Sequence, residues 1–108
     1  MYKSERSKAC DISPTVKKAV WWRDRGRCIL CGDKAAMPNA HFISRAEGGL
    51  GVEQNIVTLC RKCHGEYDQS TNRAAIREEI KAYLIGKYGD EWHEEDLYFL
   101  RFNKITRT

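Results

Sequence analysis

From residue 14 onward the chain changes period several times, and each change marks an element. Val16, Ala19, Val20, Trp21 and Trp22 recur at helical spacing behind Ser13-Pro14, an N-cap residue followed by proline at the first helical position. This predicts a helix over residues 15–25, ended by Arg25-Gly26-Arg27, with Val16, Ala19, Val20 and one or both tryptophans packed on the core. His41-Phe42-Ile43 reads as a short strand and Ile56-Val57-Thr58-Leu59 as a β-branched one. The loop over 44–55, which carries Gly48, Gly49 and Gly51, would join them as a hairpin. A short helix is expected over 63–69, where Tyr67 reads as packing, and a longer one over 74–88. Ile76, Ile80, Tyr83 and Leu84 form a stripe along the longer helix, and Gly89 marks its end. Residues 1–13 are polar and are expected to form a loose arm, whereas Trp92, Leu97, Tyr98, Phe99 and Leu100 are apolar enough to fold back onto the domain.

These elements describe one α+β domain over 14–108, with a core segment at 26–69 and a helical extension over 73–108, because 108 residues leave no room for a second hydrophobic core. The composition is that of a soluble protein, 42% hydrophobic and 31% charged, and no apolar run is long enough to cross a membrane. The polar N-terminus lacks the apolar stretch of a secretory signal, so a cytoplasmic location is expected. Net charge is +4, unevenly placed: residues 15–64 hold nine Lys or Arg against four acids, and residues from 65 onward hold seven against nine. A polyanion such as nucleic acid is the natural partner of that first segment, although a basic stretch is also what a solvated face looks like.

The cysteines carry more information. Cys28 with Cys31 and Cys60 with Cys63 form two Cys-x2-Cys pairs, and together they offer the four-sulfur tetrahedral shell that structural zinc prefers. Two disulfides are opposed by a reducing cytoplasm, and four buried thiols would make the paired spacing a coincidence. Gly32 permits the tight turn that the first pair needs, and Cys10 reads as an unremarkable thiol in a mobile arm.

Knuckle, hairpin, and a helix that begins at the second cysteine pair make a zinc-stapled treble-clef arrangement. Within it His41 is followed by Asn55 after fourteen positions and by His64 after nine more. The set Cys28-x2-Cys31-Gly32, Ala40-His41-Phe42-Ile43, Gly48-Gly49, Glu53-x-Asn55-Ile56 and Leu59-Cys60-x2-Cys63-His64 resembles the HNH nucleases, the ββα-metal family, in the subgroup stapled by two cysteine pairs. Pro38-Asn39-Ala40-His41 and the run from Asn55 to Cys60 are also similar to small HNH proteins of bacteriophages and prophages.

The resemblance implies an activity and roles for the residues. The implied activity is nicking of a DNA phosphodiester, with His41 as general base, Asn55 fixing the backbone that aims it, and His64 binding a divalent ion such as Mg2+, Mn2+ or Ni2+. Asp68 lies four residues after His64, so on a helix both share a face, and its carboxylate could complete the metal site or simply be solvated. Arg45 is a plausible phosphate clamp, while Arg61 and Lys62 read as general phosphate contacts. One departure matters. The residue before the general base is commonly a metal-binding Asp or His in this family, but here it is Ala40, which cannot coordinate; Asn39 is a candidate substitute. The missing ligand keeps open a second class of function, a noncatalytic zinc module that binds DNA or serves in assembly. For the phage-like reading the implied partners are DNA and a terminase or other packaging protein.

Overall fold

A computed structural model describes residues 4–99. Ser13 accepts a hydrogen bond from the Val16 N–H at 3.1 Å, and Pro14 opens the helix α2 (Pro14–Arg23). The helix stops two residues before its predicted end at residue 25, where Arg25 adopts a positive φ of 59° and turns the chain toward the first cysteine pair. Val20 is fully buried, but Trp21 and Trp22 are 42% and 67% exposed. The expectation that a tryptophan packs on the core is therefore corrected: the inward face of α2 is filled by Val20, Arg23 and Asp24 instead.

Strand β1 (Ala36–His41) starts five residues before the predicted strand and ends where that strand was to begin, while β2 (Ile56–Cys60) is as expected. They pair antiparallel, with Ala36 opposite Cys60 and His41 opposite Ile56, and the register shifts between Met37 and Ala40. Pro38 lies in that interval and has no N–H to give to the ladder, so an irregularity there forfeits no bond from residue 38. Phe42 and Ile43 leave the ladder and enter the core, each 1% exposed.

The next helix, α3 (Arg61–Gln69), begins directly on Cys60, whose Sγ accepts from the Cys63 N–H as an N-cap. Helix α4 (Arg73–Tyr88) then lays Ile76, Ile80 and Leu84 against the sheet. Trp92 and Leu97 fold back and are buried, and the Trp92 ring meets Phe42 edge to face at 5.7 Å. Tyr98 bridges to Gly49. Leu100 and the rest of the extension expected to reach residue 108 lie outside the described residues. The whole is a small α+β domain, a two-stranded sheet between helices with a cysteine cluster at one end.

The described part of the segment expected to be a loose arm is largely helical. Residues Glu5–Cys10 form α1, capped by the Ser4 hydroxyl, and Cys10 is only 2% exposed. The helix docks on the hairpin loop through polar contacts: the Ala9 carbonyl accepts from the Gly51 N–H at 3.0 Å, and the Arg6 side chain donates to the Arg45 and Ala46 carbonyls. Docking through main-chain groups and one arginine leaves no apolar periodicity to read, which is why polarity misled. Gly51 allows the approach, since a Cβ there would sit 2.0 Å from the Asp11 carbonyl oxygen.

Charge fastens α2 to the rest. Arg23 donates twice to Asp24, once each to the Glu53 and Ile56 carbonyls, and once to the Tyr88 hydroxyl. Asp24, 6% exposed, also accepts from the Tyr83 hydroxyl at 2.6 Å and the Thr58 N–H at 3.0 Å, so one carboxylate joins α2, β2 and α4. Removing one partner of a buried pair strands the other, at a typical cost of about 3–5 kcal/mol. Asp24→Ala is expected to lower unfolding free energy by that order in a urea titration; a change under about 1 kcal/mol would show that Arg23 finds other partners.

Candidate functional site

Two adjoining features are built on the hairpin and α3. The first is the sulfur cluster. Asp33 closes the Cys28–Cys31 turn by accepting from the Cys28 N–H at 2.9 Å, and the Ile29 N–H donates to the Thr58 carbonyl, which brings the turn onto the end of β2. The four Sγ atoms lie within 4.8 Å of one another, with Cys31 and Cys60 3.6 Å apart, and none is in a disulfide. A zinc ion with Zn–S bonds of about 2.3 Å has a tetrahedral edge of about 3.8 Å, so the spacing fits the donor set. Charge agrees with geometry. Burial disfavours the Cys28 thiolate, but hydrogen bonds from the Cys31, Cys60 and Leu30 backbone outweigh it and set the thiol at about 7. Burial and the neighbouring sulfurs, with Cys28 adding charge repulsion, push the Cys63 thiol far up. Four thiolates cannot share this space unless a cation neutralises them.

The second feature is a cleft of about 640 Å³ lined by Asp11, Ile12, Lys17, Asn39, His41, Ser44, Arg45, His64 and Asp68. His41 stands at the end of β1, and the Cys10 carbonyl at the end of α1 meets its Nε2 at 2.8 Å. A carbonyl can only accept, so Nε2 carries the proton and Nδ1 keeps its lone pair. Burial holds the His41 pKa below its ordinary 6.5; the Cys10 carbonyl opposes that shift, and the Arg45 cation adds to it. The imidazole is therefore neutral near pH 7.

Asn55, fully buried, ties the hairpin loop just beyond His41. Its Oδ1 accepts from the Ile43 N–H at 2.7 Å, and its Nδ2 donates to the Ile43 and Leu50 carbonyls. Tyr67 does more than pack, because its hydroxyl donates to the Phe42 carbonyl at 2.7 Å and fixes α3 against the hairpin. His64 and Asp68 face each other on α3, with Nε2 and Oδ2 3.6 Å apart. Since His64 follows Cys63 directly, the sulfur cluster also positions the wall of the cleft.

Residues 28–80 match the family model described as HNH endonuclease, a stretch that holds both cysteine pairs, both strands, α3 and the first half of α4. The chain belongs to the HNH endonuclease family. No curated protein matches it in sequence.

Within this HNH chain, His41, Arg45, His64 and Asp68 all reach the cleft, whereas Asn55 lies behind it in the core. Arg61 and Lys62 are exposed on the first turn of α3 and are not among the residues lining the cleft. Arg45 is not free as a clamp: it pairs with Asp11 at 3.0 Å. Ala40 is 1% exposed and part of the hydrophobic cluster, so its position faces the core, and Asn39 supplies the neighbouring polar group in the cleft. The contributions of Asp11, Ile12, Lys17 and the Cys10 carbonyl were not legible in the sequence, because all come from segments before the motif.

Metal analysis of the purified protein should give close to one zinc per chain. Cys60→Ser should release it and unfold or aggregate the protein, since a domain this small leans on its metal for stability. A zinc-free protein with an unchanged melting curve would refute the staple.

Proposed function

We propose that this chain is a metal-dependent endonuclease that nicks DNA, with His41 as general base. The observation that carries this reading is a neutral imidazole with its protonated nitrogen engaged by the Cys10 carbonyl, sharing a cleft with the His64–Asp68 pair. With Nε2 engaged, the unprotonated Nδ1 takes a proton from the attacking water. Asn55 holds the backbone after His41, and Tyr67 holds the carbonyl of Phe42, so the ring is braced before substrate arrives. His64 and Asp68 would hold a divalent ion, Mg2+, Mn2+ or Ni2+, with Asn39 as a further oxygen donor in the cleft. That ion supplies positive charge to the phosphate and to the departing 3′ oxygen. Arg45 binds phosphate by exchanging its Asp11 carboxylate partner for the substrate, while Arg61 and Lys62 contact the DNA backbone outside the cleft.

The reading extends to setting as well as chemistry. A reducing cytoplasm keeps the cysteines available as zinc ligands. Among the described residues no helix is long and apolar enough to cross a membrane. Similarity to small phage HNH proteins supports work beside a terminase, in DNA packaging or recombination.

Incubating supercoiled plasmid with the protein and each of the three ions, against an EDTA control, tests the activity. Metal-dependent nicking supports the enzyme; DNA binding without cleavage in every ion would make the chain a noncatalytic zinc module. His41→Ala is expected to reduce nicking at least about a hundredfold, the usual scale of general-base catalysis, with zinc content unchanged. Because the base works only when unprotonated and its pKa lies below 6.5, the rate should stay level through neutral pH and fall only below that value. An acid limb centred above 6.5 would assign the base to another group. In a metal titration, Asp68→Ala should raise the ion concentration needed for half-maximal nicking several-fold and Asn39→Asp should lower it. Two unchanged titrations would remove both residues from the metal site.

A further inference from the structure

Among the described residues the most exposed large apolar side chain is Trp22, at 67%, and it lies beside Trp21 at 42%. Neither ring contributes much to the core. Trp21 is nonetheless held in place, because its indole lies against Gly26, where an added Cβ would come within 2.6 Å of the ring. Trp22 stands edge to face against it, centroids 5.5 Å apart and planes at 87°. The outcome is one aromatic ring presented to solvent from a braced support.

The exposed charge along α2 and the turn that follows it has one sign. Lys17, Lys18, Arg25 and Arg27 are all exposed, and none forms an ion pair with a described residue. The only carboxylate between residues 14 and 27 is Asp24, which is buried and taken up by Arg23, Tyr83 and the Thr58 N–H. This surface is also continuous with the cleft. Lys17 lines the cleft, and Trp21 follows one helical turn later, a rise of about 6 Å.

We propose that the outer face of α2 is a stacking platform for unpaired nucleotides, so that the substrate strand is single-stranded beside the bond to be cut; this deepens the endonuclease reading and rests on it. Cations and aromatic rings combine in this way where a protein tracks a single strand: the cations follow the phosphates and the ring takes the face of a base. A base inside a duplex is already stacked on both faces and offers only its edges, so duplex DNA can use the four cations but not Trp22. An apolar protein partner would use the rings but has no need of the four cations in the same segment.

The test measures binding of the zinc-loaded full chain, without added divalent ion, to a fluorescently labelled oligo(dT) and to a duplex of the same length. Tryptophan emission should be quenched by unlabelled oligo(dT). Trp22→Ala should weaken single-strand binding about tenfold, within the range for loss of one stacked base, and change duplex binding by less than about twofold. Trp22→Tyr should retain most of the affinity, whereas Trp22→Leu should lose as much as Trp22→Ala. Recovery by Trp22→Leu would show that apolar contact suffices without ring stacking and would overturn the proposal, as would equal losses on single strand and duplex or no loss at all. Zinc stoichiometry identifies any misfolded variant, and Lys18→Gln, on the same face, should then weaken both ligands and reduce the salt dependence of each by about one ion. Because no cleavage occurs in this assay, a protein that never nicks plasmid would still reveal the platform. A protein that nicks but shows no Trp22 effect would sink the platform alone.

Discussion

Four sulfur atoms packed within 4.8 Å set the condition that the rest of this fold meets. As thiolates they repel, as thiols they waste a donor set, and a zinc ion between them removes both problems while joining a turn, a strand end and a helix start. β2 and α3 have no connecting loop, because Cys60 ends one and caps the other. The direction of α3 is therefore set at its first residue, and with it the side chains that face the cleft. A hydrophobic core of this size could not define that direction so narrowly by packing alone.

A second layer of constraint centres on one imidazole. Tyr67 and Asn55 hold the chain immediately after His41 from the α3 side and the loop side, and the Cys10 carbonyl holds the ring itself from the opposite direction. Electrostatics and sterics agree here. The burial that fixes the ring also keeps it neutral, so one arrangement sets both the position of the imidazole and its protonation state.

The parts of this design that were legible in the sequence are those written in side-chain spacing. Two Cys-x2-Cys pairs, a β-branched run and the histidine and asparagine intervals reported the staple, β2 and most of the cleft, since each relies on residue types that few alternatives replace. The extent of β1 was less readable, because Met37-Pro38-Asn39 has little strand character and is held as a strand by its partner. Trp21 and Trp22 were misjudged because helical periodicity says that residues share a face without saying which face is inward; Arg23 and Asp24 decide that, through contacts that span 65 positions and are invisible locally. α1 escaped notice for a different reason, as its attachment runs through peptide groups that every residue carries and through one arginine, with no apolar stripe.

That last attachment changes what selection can act on. The contact from α1 to His41 is made by a main-chain carbonyl, so beyond the size limit set by burial of residue 10, the identity of the side chain there is nearly irrelevant to it. What is not free is phase. Inserting or deleting one residue within α1 would turn its two ends by about 100° relative to each other, so that Arg6 and the Cys10 carbonyl could no longer keep both of their contacts. Relatives that keep this device should thus vary in the residue before His41's carbonyl partner and at that partner itself while conserving the length of the helix that carries it.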